Sequence, residues 1–198
     1  MKLLPPVVEP NFIYAHFQKK PWRRACAWLS QRISPHDNHQ NHQKLPFVQQ
    51  VWMPFYAVPV MAKTRGEPHL IPTAVEAYSG AFALFGNQND LIEAVPDGEY
   101  FPPALSPDDA QLIARTELVK SIIRRRGQRD KPMIENALNP ELFYYPFGLY
   151  YYRTVSRKLG VKIYDAVAAR NAAARNRAGL LEALVHAHRN KQGNISGL

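Results

Sequence analysis

Three groups of residues have types and spacings that could do chemistry, and the first is a histidine-rich loop. His36, His39 and His42 recur at three-residue intervals within a polar segment. Imidazole nitrogens bind zinc, nickel and copper, so the three side chains could share one ion if the loop curls. The segment offers no rigid element to arrange such ligands, and a His-rich tract is a weak signal by itself. We therefore favour a solvated loop and predict no metal or other cofactor.

The second group is the densest run of cations in the chain. Its members are Arg124, Arg125, Arg126, Arg129 and Lys131. These side chains could grip the phosphates of a nucleic acid, in contacts that salt would weaken. Arginines in the last turn of a helix are also stabilised by the helix dipole and then need no ligand. Because the run extends past the predicted end of its helix, both interpretations stay open.

Further cations, which extend this second group, stand beside tyrosines in the segment that begins near Leu142. Aromatic rings next to cations on a sheet are typical of modules that stack single-stranded RNA, and the cations here are Arg153, Arg157 and Lys158. Successive strand residues point to opposite faces, so the apolar residues divide into two sets. One set is Tyr145, Phe147, Leu149 and Tyr151, and the other is Tyr144, Tyr150 and Tyr152. We expect one face to be core, and we favour packing over RNA binding.

The third group is a pair of acids, Glu76 and Asp165, at matching places in two similar segments. They could face each other across a pseudo-twofold axis, whereas the alternative is that each caps a turn or pairs with an arginine. The sequence contains no nucleophile-elbow, phosphate-loop or zinc-peptidase pattern. Cys26 has the apolar neighbours of a buried, inert thiol. An enzyme is therefore the less favoured class, and no catalytic residue is predicted.

The first part of the chain carries aromatic residues mixed with cations, which is typical of a docking surface. The predicted partner-docking residues are Phe12, Tyr14, Phe17, Trp22, Arg23, Arg24 and Trp28. A helix rich in Trp and Arg could also lie on anionic lipid. The predicted helix here is short and its apolar side is modest, so we favour docking on protein.

The charge of the chain is uneven along its length. The formal net charge is +9 over 198 residues. Residues 1–46 and 106–198 are strongly basic, whereas residues 47–105 are acidic. Such a field attracts nucleic acid, anionic lipid or an acidic protein, and charge alone does not choose among them. One cysteine and the lack of a long apolar run or secretory pattern lead us to expect a cytoplasmic protein.

The elements that must position these residues look duplicated. An apolar-aromatic run is broken by Pro54-Phe55 in one segment and by Pro146-Phe147 in another, and each run continues into a basic turn and an alternating strand. Self-similarity of this kind indicates a repeated structural unit. The two segments resemble the tandem helix-plus-sheet modules of peptidase-propeptide type, in the hairpins only. Because proline cannot donate to a ladder, we expect the first of these strands to be an edge strand, bulged or bent.

The predicted fold is α+β, with two related helix–hairpin units that share an antiparallel sheet, helices packed on one face, an extended N-terminal arm and a C-terminal helix. One helix is expected from Pro21 to Ile33 and another from the Ser106 cap to Gly127. The last is expected from Ala172 to Arg189, with Gly179 as its weak point. The segments are 1–46 (arm, short helix and His-rich loop), 47–105 (first hairpin unit) and 106–198 (helix, second hairpin unit and C-terminal helix), within one compact domain.

The leading functional hypothesis is a non-enzymatic accessory or assembly subunit that docks on a larger, partly acidic protein assembly through its arm and basic surface. The alternative is a nucleic-acid-binding protein that uses the Arg124–Lys131 cluster and the Tyr/Arg strand. A small enzyme with a site between the repeats is the third hypothesis.

Overall fold

The described residues form a ten-stranded mixed sheet with helices on both faces. The structure is a computed structural model that describes residues 1–19, 45–64, 67–126, 133–154, 156 and 158–193. A mixed α+β fold was predicted and is confirmed. The strands are β1 (Lys2–Leu3), β2 (Phe47–Thr64), β3 (Glu67–Glu76), β4 (Phe82–Leu84), β5 (Ile92–Glu93), β6 (Glu99–Tyr100), β7 (Met133–Ala137), β8 (Glu141–Arg153), β9 (Leu159–Asp165) and β10 (Arg170–Asn171). The helices are α1 (Pro10–Gln18), α2 (Pro107–Arg126) and α3 (Ala174–Gly193), with a 3-10 turn at Gln88–Asp90.

The strands β2 and β8 form the centre of the sheet. The main order is β10-β9-β8-β2-β3-β4. The two central strands pair antiparallel from Phe47 opposite Tyr151 to Ala57 opposite Glu141. The short strands β1 and β6 run parallel to β8 and β2, respectively. The sheet is therefore mixed, whereas a purely antiparallel sheet was predicted.

The prolines lie in central strands, so of the alternatives predicted for β2 the edge strand is wrong, whereas β2 does carry a register shift between Met61 and Ala62 where it pairs with β7. Pro54 accepts a bond from the Ala77 N–H, at the point just past Glu76 where β3 ends. Pro146 accepts one from the Ala166 N–H, just past the end of β9. Each proline thus turns its nitrogen, which has no hydrogen, toward a place where the neighbouring ladder has stopped. No ladder bond is lost, and proline is tolerated inside the sheet.

The two faces of the sheet carry different helices. Even-numbered residues of β2 and β8 pack against α1 and α2, with Val58 and Leu118 in one cluster and Tyr150 and Phe17 in another. Odd-numbered residues pack against α3, where Leu180 lies among the core aromatic residues. The prediction that the helices pack on one face of the sheet is thus wrong. A near-continuous apolar run buries both faces of its strand, and that is the reason for the second layer.

The N-terminal arm is helical over Pro10–Gln18, so its predicted extended form is wrong for these residues. Pro10 occupies the first turn, where proline fits because its missing N–H would have no partner. Ile13 and Phe17, four residues apart, are buried against the sheet. A Cβ on Gly148 would lie 2.4 Å from the Ile13 Cδ1, so the absence of a side chain there lets α1 approach β8.

The helix α2 begins as the sequence predicts. The Ser106 Oγ accepts the Asp109 N–H at 3.1 Å and donates to the Asp109 carboxylate at 2.7 Å. This pair forms the expected cap with an acid in the first turn. Among the described residues, no helix combines the length and apolar character that crossing a bilayer requires.

The helix α3 approaches the sheet most closely at Gly179. A Cβ on this residue would lie 2.2 Å from the Glu76 Oε2, closer than real contacts allow. Gly179 was predicted to be a weak point of the helix because glycine lowers helix propensity. In the fold its lack of a side chain is instead required, because the buried Glu76 carboxylate occupies the space.

Candidate functional site

The predicted docking residues on α1 divide into an exposed pair and a buried anchor. Phe12 and Tyr14 have 48% and 37% of their surface exposed. Phe17 is buried against Tyr150 at 4.9 Å and against Tyr164 at 5.9 Å between ring centroids, so its prediction as a docking residue is wrong. It holds α1 on the sheet and thereby fixes the exposed rings in place. The remaining predicted anchors, Trp22, Arg23, Arg24 and Trp28, lie outside the described residues.

Those predicted anion-binding residues whose side chains the structure describes lie at opposite ends of the central strands. Arg124 is exposed near the end of α2, which runs along β2 toward Lys63. Arg153 and Lys158 are exposed where β8 turns into β9, beyond the Phe47 end of β2. The intervening strand of 18 residues spans roughly 55 Å at about 3.3 Å per residue. These cations therefore do not form one site. The side chains of Arg125 and Arg126, and the residues Arg129, Lys131 and Arg157, lie outside the described part of the chain.

The tyrosines of β8 follow the predicted alternation, and both of their faces are covered. Tyr145 and Tyr151 pack on the cluster that contains α3 residues. Tyr150 and Tyr152 pack near α1, with ring centroids 5.8 Å apart. The packing interpretation therefore fits these rings better than an open platform for RNA bases. Tyr152 is the one β8 tyrosine that also borders the cavity described below.

Glu76 and Asp165 cap turns, as the structural alternative proposed. Glu76 is 1% exposed and accepts the Tyr78 N–H on Oε1 at 2.8 Å and the Ser79 N–H on Oε2 at 2.9 Å. The Ser79 hydroxyl donates to the same Oε2. Asp165 is 6% exposed and accepts three donors on Oδ1, from the backbones of Val167 and Ala168 and from a tyrosine hydroxyl. Both carboxylates thus accept hydrogen bonds from the turns that directly follow them.

A half-open cavity of about 590 Å³ lies between α1, β9 and the start of α3. Its volume is within the range of ordinary ligand pockets. The lining residues are His16, Phe17, Lys19, Tyr152, Val161, Lys162, Ile163, Asn171, Ala172 and Arg177. Within the described part of the chain this lining contains three permanent cations and a histidine but no carboxylate, which favours a negatively charged occupant.

The cationic side of the cavity is organised around Lys162. Its Nζ lies 5.4 Å from the Phe17 ring centroid and 5.1 Å from that of Tyr152, within reach of cation–π attraction. The Tyr152 ring in turn covers Gly160, where an added Cβ would lie 2.6 Å from it. The ammonium group of Lys162 is therefore held between two fixed rings beside the cavity.

Sequence reasoning missed His16, Lys162, Asn171 and Arg177 as site residues. They come from four separate elements, and no local spacing connects them. The available signal was Lys162 itself, a cation inside the apolar strand run Val161–Ile163. The candidate metal ligands His36, His39 and His42 lie outside the described residues.

Comparison with known proteins gives this chain no relative. No protein-family model matches it. No curated protein and no solved structure matches it either. The resemblance to peptidase-propeptide modules thus gains no support, and functional inference depends on the geometry of the chain itself.

Proposed function

We propose that this protein is a non-enzymatic accessory subunit that docks on a larger, partly acidic protein. The docking surface is formed by α1 and the neighbouring outer edge of β9, and we call it the docking edge. The observation that carries the proposal is a cavity whose described lining holds three cations and no carboxylate, and whose Lys19 Nζ lies 5.9 Å from the ring centroid of the exposed Phe12. Aromatic rings supply contact area and the cations select an acidic partner.

The mounting of α1 supports this role. Ile13 and Phe17 are buried on one side of the helix, so Phe12 and Tyr14 project from a fixed base. The Lys19 Nζ lies 5.9 Å from the Phe12 ring centroid and adds a cation to the same edge. A preformed surface of this kind binds with little loss of conformational entropy.

Pull-down from native lysate, with and without nuclease, tests the proposal. Phe12→Ala together with Tyr14→Ala should abolish capture of a partner that survives nuclease. The control is Leu112→Ala, which removes an even more exposed apolar side chain on α2. Capture that is unchanged in the α1 variant would contradict the proposed docking edge.

A nucleic-acid-binding role remains the second proposal, with Arg153 and Lys158 as its exposed cations at the β8–β9 turn. It predicts recovery of nucleic acid that nuclease or moderate salt removes. Arg124 lies at the other end of the sheet, so this role would need two separate contacts. Glu76 and Asp165 are not proposed as catalytic residues, because their carboxylates cap turns.

We further infer that the two hairpins descend from one duplicated unit. Phe55 lies opposite Glu76, and Phe147 lies opposite Asp165. The pairing of β2 with β8 places Met53 opposite Tyr145. Met53 directly precedes Pro54 and Tyr145 directly precedes Pro146, so these two residues hold the same position in the two similar segments. These registers fit a pseudo-twofold axis through that pair. An experimental structure in which the Pro-Phe pairs occupy unrelated strand positions would contradict the duplication.

A further inference from the structure

The outer edge of β9 is only partly covered. In the described part of the chain, β10 pairs with β9 at Asp165 and Tyr164, and the Ala172 N–H adds a bond to the Ile163 carbonyl at 3.0 Å. At Ala174 the chain turns into α3 and leaves the sheet. Outward-facing backbone groups alternate along a strand, so Val161 directs its N–H and C=O to the same side as Ile163. No described strand lies opposite Val161.

The open edge forms a wall of the cationic cavity. Val161, Lys162 and Ile163 line it from β9, while Ala172 lies where the partner strand β10 stops. The cavity therefore occupies the space into which β10 would continue. An unpaired strand edge is a template for the addition of another strand.

The chemistry of the cavity selects an acidic strand. Side chains of an added strand alternate between the two faces of the sheet. On one face they would meet Lys162, His16 of α1 and Lys19 just past α1, whereas on the other they would meet the apolar Val161 and Ile163. A segment that alternates acidic and apolar residues matches both faces.

The chain's own segment 20–44 is a poor occupant, although it follows directly on Lys19. It carries five Lys or Arg residues and one Asp. Like charges would oppose its entry among the cavity cations. The complementary occupant is therefore a segment of another protein.

We propose that an acidic, extended segment of the partner protein adds to the sheet as a strand along the outer edge of β9, in continuation of β10. This inference rests on the proposed function of docking on an acidic partner, and it names the part of the partner that enters. Backbone hydrogen bonds to Val161 hold the segment, and Lys19, Lys162 and Arg177 select its charge.

Fluorescence anisotropy with a designed peptide tests the proposal on the full-length protein. The probe is a fluorescein-labelled peptide of alternating glutamate and valine, about seven residues long. We expect binding that weakens as salt is raised from about 0.05 to 0.5 M. The same peptide N-methylated at alternate backbone nitrogens keeps its charge but cannot form the ladder, so it should bind at least about tenfold more weakly.

Two protein variants locate the peptide. Arg177→Glu and Lys19→Glu reverse exposed charges at the cavity, and each should weaken binding about tenfold. Arg115→Glu makes the same charge change on the exposed side of α2 and should leave affinity within about twofold. Circular dichroism confirms that each variant is folded.

Three results would overturn the proposal. Equal binding of the methylated and unmethylated peptides would mean attraction by charge without strand addition. Tighter binding of ATP or of a single-stranded DNA oligonucleotide, lost in Arg177→Glu, would assign the cavity to nucleotide phosphates. Absence of peptide binding, with partner capture still dependent on Phe12 and Tyr14, would reject the strand addition while the docking edge stands.

Discussion

The turns that follow β3 and β9 each contain a buried carboxylate, but different parts of the fold cover the two groups. In the first turn Glu76 accepts donors on both of its carboxylate oxygens, and α3 seals it at Gly179. In the second turn Asp165 accepts all three of its donors on Oδ1, and one donor is the Tyr145 hydroxyl at 2.7 Å. One carboxylate is covered by a helix backbone, the other by an aromatic side chain.

The difference shows that residues at matching positions in the sequence need not tolerate substitution equally well in the fold. A longer acid reaches two parts of its turn and needs both oxygens, whereas a shorter one gathers its donors at a single oxygen. The two acids look equivalent as residues, but we expect their substitutions to differ in cost.

The largest effect is expected from removing the charge of Glu76 without changing its shape, and the same change at Asp165 is expected to cost less. Glu76→Gln keeps one acceptor oxygen and places an amide NH₂ against buried donors, so it should lower the free energy of unfolding by about 4 kcal/mol. Asp165→Asn keeps Oδ1 and its three bonds, so about 1 kcal/mol is expected. Urea denaturation of both variants measures the contrast, and equal losses would show that the oxygen assignment does not decide the cost.

The helix cover of the first turn is tested by Gly179→Ala. The added methyl group must displace α3 or a carboxylate fixed by its bonds, so a net loss of about 3 kcal/mol is expected despite the gain in helix propensity. The same change in a Glu76→Ala background should cost less, because the obstacle is gone. As a control, Ala178→Gly at the exposed neighbouring position should cost about 1 kcal/mol. A stabilising Gly179→Ala change would contradict the close approach.

The tyrosine cover of the second turn makes stability sensitive to alkaline pH. Burial raises the pKa of Tyr145 above its usual value near 10, and its bond to Asp165 raises that pKa further. Below about pH 10 the folded and unfolded states both keep the proton. Above it the unfolded state loses the proton first, so stability falls as pH rises. Wild type should lose about 1.4 kcal/mol more per pH unit than Tyr145→Phe. Parallel stability curves above pH 10 would reject this coupling.

At neutral pH Tyr145→Phe itself is expected to have an effect as small as that of Asp165→Asn. The variant keeps the ring but removes one donor from Asp165, which retains two backbone donors, so about 1 kcal/mol is expected. Tyr151→Phe, on the same face of β8, is the matched control. Thermal unfolding at pH 7 compares the two, and a larger loss in the control would place the stabilising contact elsewhere.

Local chemistry predicted the elements whose signals are contained in a few residues. The Ser106 cap and the proline and acids after it define α2 without reference to the rest of the chain. The helix α1 was missed because Pro5, Pro6 and Pro10 together suggest an extended arm, although Pro10 fits a first helical turn. The short strands β1, β5 and β6 exist only through pairing with distant strands, which sequence does not specify.

Contacts between distant parts of the chain determine the features that the sequence did not predict. Pro54 and Pro146 suit a central strand only because a neighbouring ladder ends beside them. Phe17 looked like a docking residue, yet its spacing from Ile13 was also the signal of a buried helix face. The cavity draws on α1, β9 and α3, so its cations could be identified only after these elements were placed.

The pairing of β2 with β8 has a consequence for synthesis of the chain. Each residue from Phe47 to Ala57 pairs with a residue of β8 that lies 84 to 104 positions further along the chain. The first strand, β1, also pairs with β8. Contacts of such sequence separation slow folding. While the ribosome makes the second half, one side of the apolar β2 has no neighbour and can pair with other nascent chains. The second half of this protein therefore protects the first half from aggregation, much as a chaperone would. Truncation before β8 should yield aggregates.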